Sequence, residues 1–117
     1  MYTYKAKLIR VIEGDTIDAD IDLGFDICIR QRIKLFGIAT PDPKSKDINV
    51  REQGLIVKSK LIELLPKDFI VETLHNRRGK YGRTMGIVYI KDEKNKLINI
   101  NHTLIDLGLA EDYSGVR

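Results

Sequence analysis

The chain of 117 residues contains one cysteine, Cys28, so no internal disulfide can form, and the reading is an intracellular, reducing compartment. A lone cysteine inside a strand pattern is a small packing residue before it is a thiol nucleophile. Only two histidines occur, His75 and His102, and neither has Cys, His or Glu companions at ligand spacing, which argues against a zinc site. No apolar run approaches the ~20 residues of a membrane span. The opening MYTYKAKLIR shows no apolar stretch of the kind a signal peptide carries. Internal repeats, low-complexity segments, a Walker loop, a nucleophile elbow and a Ser/His/Asp set are all missing. What is present is a normal globular balance, 43% hydrophobic and 32% charged. The length suits one domain over 1–117, since two would each be too small for a good core. The net charge of +3 suits a phosphate-bearing partner without demanding one.

The period of the apolar residues predicts a mainly β chain with helices. Residues 4–12 read as a strand. In 15–22, Ile17, Ala19 and Ile21 alternate with Asp18, Asp20 and Asp22, which predicts a strand with a buried side and a solvated aspartate side. Residues 27–37 form a third strand with Ile27, Ile29, Ile33 and Leu35 in register, and turns at Glu13-Gly14 and Gly24 make a three-stranded meander. Residues 40–50 read as a mobile surface loop. A helix follows over 51–65, with Val57, Leu61, Leu64 and Leu65 on its apolar face and Pro66 as its stop. Strands at 69–75 and 83–91 flank a basic loop, and a second helix starts from Asn99 and ends by Gly108. Five short strands with a helix between the third and fourth predict an α+β fold, a five-stranded OB-fold barrel with two helices.

Asp15 has the parity of Ile17, so it points inward and needs a cation or an arginine, unless it only caps its own turn. Arg30, Arg32 and Lys34 share one parity, and a row of such cations is suited to a phosphodiester or, equally, to a protected edge strand. In His75–Arg83 (HNRRGKYGR), Arg77, Arg78, Lys80 and Arg83 surround two glycines and Tyr81. Glycines let backbone N–H groups approach an anion, and the ring can stack on a base; a solvated hairpin loop is the plainer alternative.

Taken in order, Val11-Ile12-Glu13-Gly14-Asp15-Thr16, Lys34 to Asp42, Lys80-Tyr81-Gly82-Arg83 and Gly108-Leu109-Ala110 resemble the staphylococcal nuclease family over about residues 5–112. The resemblance implies an OB barrel that hydrolyses DNA or RNA phosphodiesters, single strands preferred, with calcium or, by its oxygen ligands, magnesium. It implies that Asp15 and the Thr40 carbonyl hold the metal and that Asp42 activates water. By the same resemblance Arg83 and Lys34 stabilise charge, while Lys80 and Tyr81 hold a terminal phosphate. Three positions depart from the family pattern. Lys34 replaces an arginine and loses its bidentate fork, with Arg32 on the same face as a substitute. Ala39 replaces a second metal-binding aspartate, and Asp42 replaces a glutamate. These departures leave a second expectation open, an inactive OB module that binds single-stranded nucleic acid or a protein partner.

Overall fold

The computed structural model describes residues 2–78 and 84–113, residues 75–78 as backbone. Its elements run β1 (Tyr2–Glu13), β2 (Thr16–Asp22), β3 (Cys28–Leu35), β4 (Ile38–Ala39), α1 (Ile48–Leu64), β5 (Asp68–Arg78), β6 (Thr84–Lys91), β7 (Leu97–Asn99), α2 (Ile100–Asp106) and β8 (Glu111–Asp112). Antiparallel pairing joins β3–β2–β1–β5–β6. A parallel pairing of β3 with β6, at Ile33↔Thr84, Lys34↔Met85 and Leu35↔Gly86, closes these five strands into a barrel. The architecture is the expected OB type, with β7 added to β6 outside the ring and a short β4–β8 pair beside it.

The interior follows the period-2 pattern. Ile17 and Ala19 are fully buried and Ile21 nearly so, facing Ile33, Leu35, Val71 and Val88, with Leu61 of α1 and Ile100 and Leu104 of α2 against them. Gly86 lets β6 approach its neighbours closely, since a β-carbon there would stand 2.9 Å from a Val71 methyl and 3.1 Å from Ile33.

Three differences from the sequence reading have physical causes. Ile27 and Ile29 are exposed rather than packed in register with Ile33, because β3 meets β6 only over its last three residues and its first half projects beyond the closed wall. Helix α1 begins at Ile48, earlier than residue 51, because Asp47 caps it by accepting from Asn49 N at 2.9 Å and Val50 N at 3.4 Å. Its end was legible: Leu65 is extended before Pro66, which clashes with a helical predecessor. Finally, the aspartates of β2 are not one solvated face. Asp18 is 4% exposed. A bulge in β1 between Leu8 and Arg10 sets Arg10 opposite Asp18, which Arg32 flanks from β3. Both arginines fold over the carboxylate and remove it from water.

No helix among the described residues is long and apolar enough to cross a membrane.

Candidate active site

One end of the barrel gathers the β1–β2 turn, the end of β3 and the segment from β4 into α1. Asp15 sits in that turn, 7% exposed, and its Oδ1 accepts from the Thr16 hydroxyl at 3.0 Å. Its carbonyl accepts from Leu35 N at 2.8 Å, which ties the turn to the end of β3. Gly14 lets the turn lie flat on its neighbours, because a β-carbon there would be 2.5 Å from a Val57 methyl of α1 and 3.4 Å from Thr40 Cβ. Asp15 is thus buried, and Thr40 lies against the same turn. Among the described residues Asp15 has no arginine or lysine partner; a hydroxyl alone faces its carboxylate.

Lys34 stands opposite Thr16 across β2–β3 and opposite Met85 across β3–β6. It is half-buried and forms no ion pair with any described residue. Arg32 differs. Its Nε and Nη2 donate to both oxygens of Asp18, at 2.8 Å and 3.1 Å, while Arg10 Nε donates to Oδ2 at 2.9 Å. Arg30 forms the same fork with Asp20, at 2.9 Å and 3.3 Å. The Arg32 hydrogen bond holds the Asp18 carboxyl below the usual carboxylate range despite burial, and Arg30 does the same for Asp20. Of the three cations in the row, only Lys34 is unpaired among the described residues, and a phosphate at Arg32 would compete with Asp18.

Asp42 is exposed. Its Oδ1 accepts from Lys44 N at 2.8 Å and its carbonyl from Ser45 N at 3.1 Å, a turn closed by its own side chain. The segment expected to be mobile is seated on α1 at Gly54, where a β-carbon would fall within 2.5–2.7 Å of backbone atoms of Pro41, Asp42 and Pro43. Ser45 Oγ accepts from Asp47 N at 3.2 Å, completing the path into the helix cap.

Strand β6 begins at Thr84, opposite Ile33. Arg83, Lys80 and Tyr81 lie outside the described residues, and Arg77 and Arg78 are described only as the end of β5. Two supporting residues carried no sequence signal beyond their type. Asn101, 2% exposed, accepts from Val88 N and donates to the carbonyls of Phe36, at 2.8 Å, and Gly86, at 3.2 Å. It thus holds the turn after β3 against β6. Gly54 was legible only as a glycine inside a helix pattern.

Among the described residues no three His, Cys, Asp or Glu side chains converge as a metal cage. The oxygen groups at this end are the buried Asp15 carboxylate and Thr40, whose Cβ packs on the Gly14 turn; oxygen donors of this kind suit a hard divalent cation, magnesium or calcium.

The family model for staphylococcal nuclease homologues matches residues 32–117, well over half of the chain. The match takes in Lys34, Thr40, Asp42 and Arg83 and begins after the Asp15 turn. No curated protein matches the chain to significance.

Proposed function

Because the chain belongs to the staphylococcal nuclease homologue family, we propose that it hydrolyses phosphodiester bonds of single-stranded DNA or RNA at the barrel end built from Asp15, Lys34, Thr40 and Asp42. The observation that carries this reading is the buried Asp15 carboxylate. It has no cationic partner among the described residues and lies on the turn that packs against Thr40. A buried carboxylate in that position calls for a cation. Asp15 and the Thr40 carbonyl would hold it, and a divalent ion, magnesium or calcium, supplies Lewis-acid polarisation of the phosphate when bound.

This chain's own groups do the rest. Asp42 accepts the proton of the water whose oxygen forms the new P–O bond, and its exposure leaves its second oxygen open to that water. Lys34, unpaired among the described residues, balances charge as it builds on the phosphoryl oxygens, and Arg83 stabilises the leaving oxygen as the old P–O bond breaks. Arg77, Arg78, Lys80 and Tyr81 hold the flanking strand, with Arg32 joining if Asp18 releases it. A reading as a strand-binding module without chemistry is favoured by one observation, the missing second carboxylate at Ala39.

A cleavage assay on heat-denatured DNA separates the two. The protein is run with magnesium, calcium, manganese or EDTA, beside Asp15→Asn and Arg83→Ala. EDTA-sensitive cutting lost in both variants supports hydrolysis with these roles. Retained strand binding without cutting in any metal supports the module, and cutting unaffected by either substitution rejects the assigned site.

A further inference from the structure

Helix α1 is apolar on two opposite faces. Val57 and Leu61 are buried toward the barrel, and Gly54 is covered by the Pro41–Pro43 segment. At ~100° per residue, Ile48, Leu55 and Ile62 recur every seven positions and line the other side. They are 59%, 48% and 54% exposed, and Ile56 beside them is 52% exposed. A surface helix ordinarily carries polar and charged residues there, and a helix apolar all round is a buried one. The stripe continues onto Leu107, the C-cap of α2, which is 51% exposed. Leu55, Ile56, Leu107 and Leu109 form the apolar lining of a groove of about 530 Å³ between the two helices. No element among the described residues packs on it.

We propose that this face joins two copies of the chain about a two-fold axis, α1 against α1. Three features select a second copy. Five half-exposed Leu and Ile side chains present roughly 500 Å² of apolar surface, close to the ~60% apolar share of the ~800 Å² each partner loses in a standard interface. The rim carries both signs, Arg51, Lys58 and Lys60 with Glu52 and Glu63, so a copy does not meet a field of its own sign. A two-fold axis also lets one patch serve both copies, since an isologous interface sets the same residues of each chain against one another. Val57 faces Gly14 of the Asp15 turn from the opposite side of the helix. The pairing therefore leaves both candidate active sites pointing outward.

Sedimentation equilibrium over micromolar to submillimolar protein tests this. The mass should rise with concentration from 13.4 kDa toward twice that value. Leu55→Glu, and separately Ile62→Lys, should weaken the dimer about 100-fold, as the loss of a central interface anchor does. Should either variant unfold by circular dichroism, Ser59→Cys in a Cys28→Ser background gives a second reading, because Ser59 lies on the stripe and should form an intermolecular disulfide on mild oxidation. A constant mass of 13.4 kDa overturns the proposal. So does a dimer insensitive to both stripe substitutions but broken by Phe25→Ser, which would place the contact at the exposed tip of the β2–β3 hairpin. Failure of the Ser59→Cys cross-link in a dimeric protein also overturns it.

Discussion

Replacing Gly54 by alanine should have the opposite sign from what helix propensity alone gives. In an exposed helix interior, glycine to alanine stabilises by about 1 kcal/mol. Here the added β-carbon would lie 2.5 Å from Pro43 N, 2.7 Å from the Asp42 carbonyl carbon and 2.7 Å from the Pro41 carbonyl oxygen. All three are backbone atoms in a segment stiffened by two prolines, so none rotates away. Ordinary contact begins at 3.4 Å, and helix and segment must part by the difference from 2.5 Å, about 0.9 Å. Overpacking of this kind costs about 1–3 kcal/mol, enough to cancel or outweigh the propensity gain and leave a net loss of up to about 2 kcal/mol. The displacement falls on Asp42 and on Thr40 just before the prolines, and a shift near 1 Å in a catalytic group costs on the order of 10²-fold in rate. Urea denaturation measures the first effect and cleavage of heat-denatured DNA the second. A Gly54→Ala protein about 1 kcal/mol more stable than wild type, with cleavage unchanged, would refute the seating of this segment on α1.

Asp18→Asn should destabilise by about 1–2 kcal/mol, because it weakens charge-assisted hydrogen bonds to Arg32 and Arg10. Since Arg32 holds the folded-state pKa of Asp18 below the ordinary 3.8, its contribution is complete above that value and disappears as pH falls through the folded-state pKa. Denaturant titrations of wild type and variant should therefore differ at neutral pH and converge in acid; a constant gap would deny the linkage. Ala39→Asp restores a carboxylate next to Thr40 and should tighten divalent-cation binding in a calorimetric titration, whereas no gain would separate this segment from the metal. Affinity for single-stranded DNA should fall steeply with added salt if phosphates are the ligand, and a flat response would remove the basic residues from that role.

The barrel was legible because its strands obey a strict period. Ile17, Ala19 and Ile21 face inward as their alternation requires, and the helix between the third and fourth barrel strands appears in its place. The burial of Asp15 matches what its parity with Ile17 led one to expect, though parity alone does not say which groups surround it. The fate of Asp18 was not legible, because parity names the face of a strand and not what crosses it. A bulge at Ile9 and a neighbouring strand bring Arg10 and Arg32 over it, and both depend on register between segments distant in sequence. The seating of Pro41–Pro43 on Gly54 was hidden likewise, since a loop's composition shows that it turns and not where it rests. Ile27 and Ile29 misled in the other direction: their alternation continues past the point where the barrel wall ends.

The aspartates of β2 also decide how the molecule looks from a distance. Arg10 and Arg32 share Asp18, and Arg30 is matched by Asp20, so two of the three guanidinium charges on the wall of β1–β3 are balanced and the field these groups project beyond a Debye length of about 8 Å at physiological salt is much reduced. The densest run of cations in the sequence lies elsewhere, at Arg77, Arg78, Lys80 and Arg83. A polyanion would be drawn to that run of cations rather than to the paired arginines of the wall. Encounter is thus funnelled to a short stretch of strand, and raising the ionic strength should slow association more than it hastens release.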